Sequence, residues 1–144
     1  MAGKTINENG VYAACIASAS IATTAFSTSG NATAIGAAIA ADDLDPTLDF
    51  QLNVTAGTVT AGDVVNVYRR PSDGTSQAPI PANTNSNTKQ DFVASFTLVS
   101  NSETRYKTGV RNLHVDDEYY LENTGAGSIT MGLKVRGSSY NAEA

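Results

Sequence analysis

Apolar and polar residues alternate one for one between residues 48 and 55. The apolar members are Leu48, Phe50, Leu52 and Val54, and the polar members are Asp49, Gln51, Asn53 and Thr55. Successive side chains of a β-strand point to opposite faces, so this pattern predicts a strand with one buried face and one wet face. A second run, Val64–Arg69, follows a glycine-bearing connection and ends before a turn at Pro71–Thr75. We expect the two runs to be neighbouring strands of one antiparallel sheet. Its core should contain Phe50, Leu52, Val65 and Val67.

The second half of the chain repeats this alternation. Phe92–Val99 is predicted to be a strand with four apolar side chains on one face: Phe92, Ala94, Phe96 and Leu98. Arg105–Leu113 and Tyr119–Asn123 are shorter candidates. Because Tyr119 and Tyr120 are adjacent, they should face opposite ways, and at most one can lie in the core. The turn Thr124–Gly127 leads into an alternating run that ends at Val135, which predicts a C-terminal hairpin with a clear register.

The first third of the chain is patterned less clearly. Met1–Gly10 is polar and aperiodic, and we expect an extended arm there. Alanine dominates from Val11 to Ala41, but serine and threonine compete for backbone hydrogen bonds, which disfavours a helix. We expect two weakly patterned strands joined by a turn near Gly30. Asp42–Pro46 should be a loop with at most one helical turn, because proline lacks an N–H donor and restricts the residue before it.

The longest stretch without a pattern is Pro71–Asp91, which holds three of the four prolines. Connections of this length are uncommon in compact domains and tend to be functional or mobile, so this is the candidate partner-facing loop. The whole pattern predicts about eight strands and no helix long enough for a βαβ unit. Strand spacings of this kind are typical of sandwiches and barrels, and we expect an all-β chain with a single antiparallel β-sandwich over residues 11–144 after an extended arm at residues 1–10.

Composition narrows the functional classes. The chain has 144 residues, a formal net charge of -5 and a sequence pI near 4.6, which argues against a nucleic-acid surface because such surfaces rest on clustered Lys and Arg. Arg69 and Arg70 are the only adjacent cations. Cys15 is the only cysteine, so no intrachain disulfide can form, and its apolar surroundings favour a small buried side chain. No run is long enough for a membrane helix, and Val11–Ala25 reads as part of the mature protein rather than a signal peptide.

Few residues suggest chemistry. The one histidine, His114, lies near Asp116 and Asp117, but no nucleophile elbow accompanies it, so a hydrolase is not predicted. The acidic clusters at residues 42–49 and 116–118 offer oxygen ligands to Ca²⁺, yet they lack the EF-hand spacing, and solvated loop charge is the favoured interpretation. We expect no enzymatic activity, no cofactor and no metal site.

Two parts of the chain carry a family resemblance. The strand Val65–Arg70 ends in Tyr-Arg-Arg and runs into the Ser-Asp-Gly-Thr turn of Pro71–Thr75, and residues 119–125 and 128–136 follow as a closing pair. In this order they resemble the small β-sandwich, or jelly-roll, capsid decoration (cement) proteins of tailed bacteriophages. Roughly a third of the chain is covered, and Asp-Gly turns between alternating strands also occur in other sandwiches.

The resemblance implies a jelly-roll sandwich and a virion structural protein that is made in the host cytoplasm. Such a protein binds the outer surface of the capsid and bridges neighbouring capsomers. The implied partners are the major capsid protein and further copies of the chain, as a trimer or dimer on the lattice, with no nucleic acid and no membrane. We expect the arm and the long loop to supply the contact residues: Lys4, Asn7, Arg69, Arg70, Pro79, Pro81, Asn83, Asn85 and Asn87.

Two alternatives remain open at this point. One is a phage tail or fibre accessory domain of the same sandwich class. The other is a carbohydrate-binding β-sandwich module, which would require an aromatic cluster on one exposed face. Six tyrosines and no tryptophan weaken that second interpretation, because sugar-binding platforms depend on large aromatic rings.

Overall fold

The computed structural model describes residues 4–8, 12–31, 44–71, 79–80, 91–111 and 117–142. These residues form ten strands and no helix, so the predicted all-β class is confirmed. The strands are β1 (Lys4–Glu8), β2 (Ala13–Ile21), β3 (Ala25–Phe26), β4 (Gly30–Asn31), β5 (Leu44–Gly57), β6 (Val64–Arg70), β7 (Asp91–Thr97), β8 (Glu103–Arg111), β9 (Glu118–Asn123) and β10 (Ile129–Ala142).

The strands form two antiparallel sheets with four positions each. In sheet A, β8 pairs with β5 and β5 pairs with β10. The other side of β10 pairs with β2 along its first part and with β1 along its last part. In sheet B, β9 lies between β6 and an edge shared by β3 and β4, and β7 follows β6. Counting each shared edge once gives eight positions. The chain switches repeatedly between the sheets in the order of a jelly roll, which confirms the predicted sandwich.

The core lies between the two sheets and is built by every second residue of the long strands. Strand β5 contributes Leu48, Phe50, Leu52 and Val54, strand β6 contributes Val65 and Val67, and strand β10 contributes Ile129, Met131, Leu133 and Val135. Each of these side chains is almost completely buried. The period-two pattern therefore predicted the inward face of these strands correctly.

The predicted strand partners are wrong in two places. β5 pairs with β8 and β10, whereas β6 pairs with β7 and β9, so the two runs first identified as neighbours lie in opposite sheets. Likewise β9 and β10 do not form a hairpin, because one belongs to sheet B and the other to sheet A. In both cases the connecting residues, 58–63 and 124–128, cross the end of the sandwich. Alternation reports which face of a strand is buried, but not which strand lies beside it.

A local irregularity overturns the predicted face of Phe92. The register between β6 and β7 shifts, so that Val67 pairs with Ala94 and Tyr68 with Phe92, which leaves Val93 as an extra residue. Because the extra residue breaks the period of two, the side chain before it points to the opposite face from the one that strict alternation predicts. Phe92 accordingly lies outside the core and is 58% exposed.

Two predicted turns are parts of strands. Leu44–Pro46 belongs to β5 rather than to a loop, and the register with β10 shifts across Pro46, where a missing N–H donor is tolerated. Gly30 lies in β4 and pairs with Tyr119. A Cβ atom on Gly30 would lie 1.6 Å from the carbonyl oxygen of Cys15, so glycine is needed for close approach of the backbones. Asp42, Asp43, Asn112 and Leu113 lie outside the described residues.

Candidate functional site

The two ends of the sandwich differ in how the strands are connected. Residues 22–24, 58–63, 98–102 and 124–128 connect strands at one end, here called the turn end. The strands joined through residues 32–43, 71–90 and 112–117 finish and start at the opposite end, here called the far end. Antiparallel registry places the end of β6 beside the starts of β7 and β9, with Arg69 opposite Asp91 and Arg70 opposite Glu118.

Five of the predicted contact residues lie in the part of the chain that the structure describes: four at the far end and one, Pro79, within the 71–90 connection. Lys4 and Asn7 lie in β1, which pairs with the last residues of β10. Arg69 and Arg70 close β6, and Pro79 is exposed. The remaining predicted contacts lie outside the described residues: Pro81, Asn83, Asn85 and Asn87. Participation of these residues in partner binding stays a prediction.

Arg69 and Arg70 are not free surface cations. Their side chains are only 13% and 20% exposed. Arg69 forms an ion pair with Asp91, and its Nε lies 3.6 Å from an oxygen of the buried Asp117. Arg70 donates to Glu118 over 2.7 Å. These pairs join the end of β6 to the starts of β7 and β9, so they hold the base of the 71–90 connection.

A hydroxyl completes the Arg70 pair. Ser29 donates to the same oxygen of Glu118 over 2.6 Å and accepts from Arg70 over 2.7 Å. Ser29 precedes β4, so the three side chains link three positions of sheet B. Partly buried, hydrogen-bonded pairs of this geometry resist screening better than exposed ones. The charged side chains at the far end therefore form a hydrogen-bonded network that links neighbouring strands.

The turn end is cross-linked by a buried amide. Asn123 is fully buried, and its Nδ2 lies 2.9 Å from the carbonyl oxygens of Ile21 and Gly127 and 3.2 Å from that of Ala22. Its Oδ1 accepts the N–H of Gly125 over 2.9 Å. One side chain thus holds the connection that follows β2 against the connection that follows β9.

The acidic residues of the two clusters whose side chains the structure describes are engaged in pairs. Asp49 accepts from Arg136 over 2.8 Å and from the N–H of Gly109 over 3.1 Å, while Asp117 and Glu118 face the arginines of β6. Across the described ranges, no group of three His, Cys, Asp or Glu side chains could hold a metal ion. The same part of the chain contains no helix able to span a membrane. His114 and Asp116 lie outside it.

The outer face of sheet B carries a cluster of four aromatic rings. Phe26, Tyr68, Phe92 and Tyr120 meet with ring centroids 5.4–6.4 Å apart. Tyr119 and Tyr120 point to opposite faces as predicted, and Tyr119 packs in the core against Phe50. Tyr120 is nevertheless fully buried within the outer cluster. The cluster also encloses a carboxylate.

That carboxylate belongs to Glu122, which is 1% exposed. It accepts hydrogen bonds from the Tyr68 hydroxyl over 2.7 Å and from the amide of Asn66 over 2.9 Å. Burial raises the pKa of Tyr68, and the hydrogen bond to Glu122 raises it further. The phenol therefore stays protonated and donates, which is what a buried carboxylate requires.

The outer face of sheet A holds a polar and aromatic arrangement that the sequence did not reveal. Arg136 bonds Asp49 and also lies under the ring of Tyr12, 4.8 Å from its centroid. Tyr12 meets Tyr106 with centroids 5.9 Å apart, and Tyr106 is 58% exposed. The only signal in the sequence was the polar phase of β5, including Asp49 and Gln51. Their partners on β8 and β10 lie more than fifty residues away along the chain.

The structure thus separates a braced far end, a cross-linked turn end and two unlike outer faces. Comparison with known proteins adds no assignment: no family model, no curated protein and no solved structure matches the chain.

Proposed function

We propose that this chain is a virion structural protein that binds the outer surface of a phage capsid through its far end and bridges neighbouring capsomers. One observation carries the proposal. The sandwich brings the two segments that resemble decoration proteins, in β6 and β9, into direct antiparallel pairing from Val65 opposite Asn123 to Arg70 opposite Glu118. Segments separated along the chain therefore form one unit, and that unit ends at the predicted contact region.

The topology supports the same region. The N-terminal strand β1 pairs with the last residues of β10, beyond the part of β10 that pairs with β2. The 71–90 connection begins directly after Arg70. An arm and a long connection at one end of a rigid sandwich can cover more partner surface than a flat face. Stable attachment requires more than about 1,000 Å² of buried surface, and repetition on a lattice multiplies weak contacts. The proposed partners are the major capsid protein and other copies of this chain.

Two matched substitutions test the far end. Pro79→Arg places a large cation on an exposed residue of the connection that leaves the far end, and Ala126→Arg places the same group on an exposed residue of the turn end. Purified virions lacking the chain are mixed with each variant, and bound copies are counted by quantitative gel analysis and electron microscopy. We expect Pro79→Arg to bind at least about tenfold more weakly, which corresponds to ~1.4 kcal/mol, and Ala126→Arg to bind like the parent chain.

Deletion of residues 1–10 tests the arm separately. We expect reduced occupancy and reduced heat resistance of the particles, while the isolated chain still unfolds cooperatively, because among the described strands β1 pairs only with the last residues of β10. Unchanged occupancy after the deletion would remove the arm from the proposal, and no binding by the parent chain would refute the function. Copy number separates the capsid proposal from the tail or fibre alternative, because hundreds of copies per particle indicate the capsid and a handful indicate a tail or fibre.

A further inference from the structure

The outer face of sheet A contains a shallow groove of about 300 Å³. Its floor is Gly132 of β10, which lacks a side chain between two taller rows. On one side lies β2 with Ala14 and Ser18, and on the other lies β5 with Asn53 and Thr55. The volume is at the lower limit of the ~300–1,000 Å³ that small-molecule sites occupy.

Glycine at position 132 is required by the same geometry. A Cβ atom there would lie 2.9 Å from the carbonyl oxygen of Ile16 and 2.9 Å from the amide nitrogen of Ser18. The register between β10 and β2 shifts on both sides of Leu133. The irregular edge strand thus leans over Gly132 and shapes one wall of the groove.

One lining side chain is charged, and it is a cation. Lys134 closes the groove beside Ala14 and opposite Gln51. No ion pair involves Lys134 within the described ranges, whereas four arginines there are paired: Arg69, Arg70, Arg105 and Arg136. No carboxylate lines the groove. In a chain with net charge -5, this face has a local preference for anions.

A series of hydrogen bonds connects the groove to the exposed Tyr106. Thr104 donates to Asn53 over 3.3 Å, Asn53 donates to Gln51 over 3.1 Å, and Gln51 donates to the Tyr106 hydroxyl over 3.1 Å. Each side-chain amide has two N–H donors, and this series of hydrogen bonds uses one donor of each amide. Within the described part of the molecule, Asn53, Gln51 and the Tyr106 hydroxyl each retain a donor that can face a ligand.

The last member of this series of hydrogen bonds is an aromatic side chain. Tyr106 is opposite Gln51 on β8, and Tyr12 supports its ring from the β2 side. An exposed ring offers an apolar face to the C–H side of a sugar, while nearby amides and hydroxyls bind sugar hydroxyls. Tyr106 is thus an exposed ring on which a sugar can stack, and the half-buried Tyr12 supports it from behind.

We propose that the outer face of sheet A binds an acidic saccharide. Lys134 pairs with the carboxylate of a uronic-acid unit, Asn53 and Ser18 bind ring hydroxyls in the groove, and Tyr106 packs against a neighbouring sugar. The site does not use the far end. It therefore stands or fails independently of capsid binding.

The first test uses a hyaluronan tetrasaccharide, which alternates glucuronate and N-acetylglucosamine, and a neutral chitin tetrasaccharide of the same length. ¹H–¹⁵N spectra of the full chain are recorded during titration with each. We expect the acidic probe to shift amide signals around Gly132, Asn53 and Lys134, and to bind at least about tenfold more tightly than the neutral probe. Equal affinity for both, or no shifts at these amides, would overturn the proposal.

Matched variants separate the site from general electrostatics. Lys134→Gln removes the cation of the groove. Lys107→Gln is the matched control: Lys107 is exposed, and because it follows Tyr106 on β8, it points to the opposite face of the sheet. We expect Lys134→Gln to weaken binding of the acidic probe about tenfold and Lys107→Gln to change it less than twofold. Equal losses would show that the probe senses only diffuse charge and would refute the site. Capsid occupancy should be unchanged in both variants.

Discussion

Replacement of Asn123 by alanine should cost more stability than any surface polar substitution at the turn end. The amide of Asn123 donates to backbone carbonyls at the end of β2 and in the connections after β2 and β9, and its oxygen accepts the N–H of Gly125. Alanine removes both functions and leaves those backbone groups without the partner.

The magnitude follows from the burial of each contact. The bonds to Ile21 and from Gly125 are buried, so each lost partner costs about 1 kcal/mol or more, and the other two are partly buried and cost about 0.5 kcal/mol each. The sum is about 3 kcal/mol. Against a typical stability of ~5–15 kcal/mol, this is a large fraction, and it corresponds to a fall in Tm of about 10 °C for a chain of this length.

Urea unfolding followed by far-ultraviolet circular dichroism measures the loss. Asn101→Ala is the matched control, because Asn101 is exposed at the same end and makes one contact of 3.3 Å to the carbonyl of Gly57. We expect the control to lose less than about 0.5 kcal/mol. A loss below about 1 kcal/mol for Asn123→Ala, or equal losses in the two variants, would refute the assignment of Asn123 as the brace of the turn end.

Two further predictions concern titratable groups. Burial raises the pKa of Cys15 from 9.0 to about 12. Because the thiolate is the reactive form, iodoacetamide at pH 8 should modify the folded chain at least roughly a hundredfold more slowly than the urea-unfolded chain. Similar rates would contradict the buried position of Cys15. Burial alone would raise the pKa of Glu103, but hydrogen bonds from the backbone N–H groups of Val99 and Ser100 and the nearby Arg105 hold it below 4.5. Because the folded-state pKa is depressed, this stabilisation is present above about pH 4.5 and is lost as the pH falls through the folded value. The urea midpoint of the parent chain should therefore exceed that of Glu103→Gln at pH 6, and the difference should shrink by pH 3; a constant difference would contradict it.

Most of the candidate site could not be predicted from sequence because its contacts are distant along the chain. The pair of cations at Arg69 and Arg70 was visible, but their partners in β7 and β9 were not. The arrangement around Tyr106 is similar, since Tyr12 and Arg136 reach it from opposite ends of the chain. Polar residues at such positions look like ordinary wet faces until the sheet order brings them together.

Local alternation by itself determined the inward faces of β5, β6 and β10, because side-chain direction along a strand depends only on the backbone between neighbours. It also determined the all-β class, since the chain has no helical apolar period. Only the tertiary structure decided that β5 and β6 belong to opposite sheets, that a bulge turns Phe92 outward, and that β10 lies at the centre of sheet A. Strand partners and bulges depend on contacts between residues far apart in sequence, where register is set by two surfaces fitting together rather than by either strand alone.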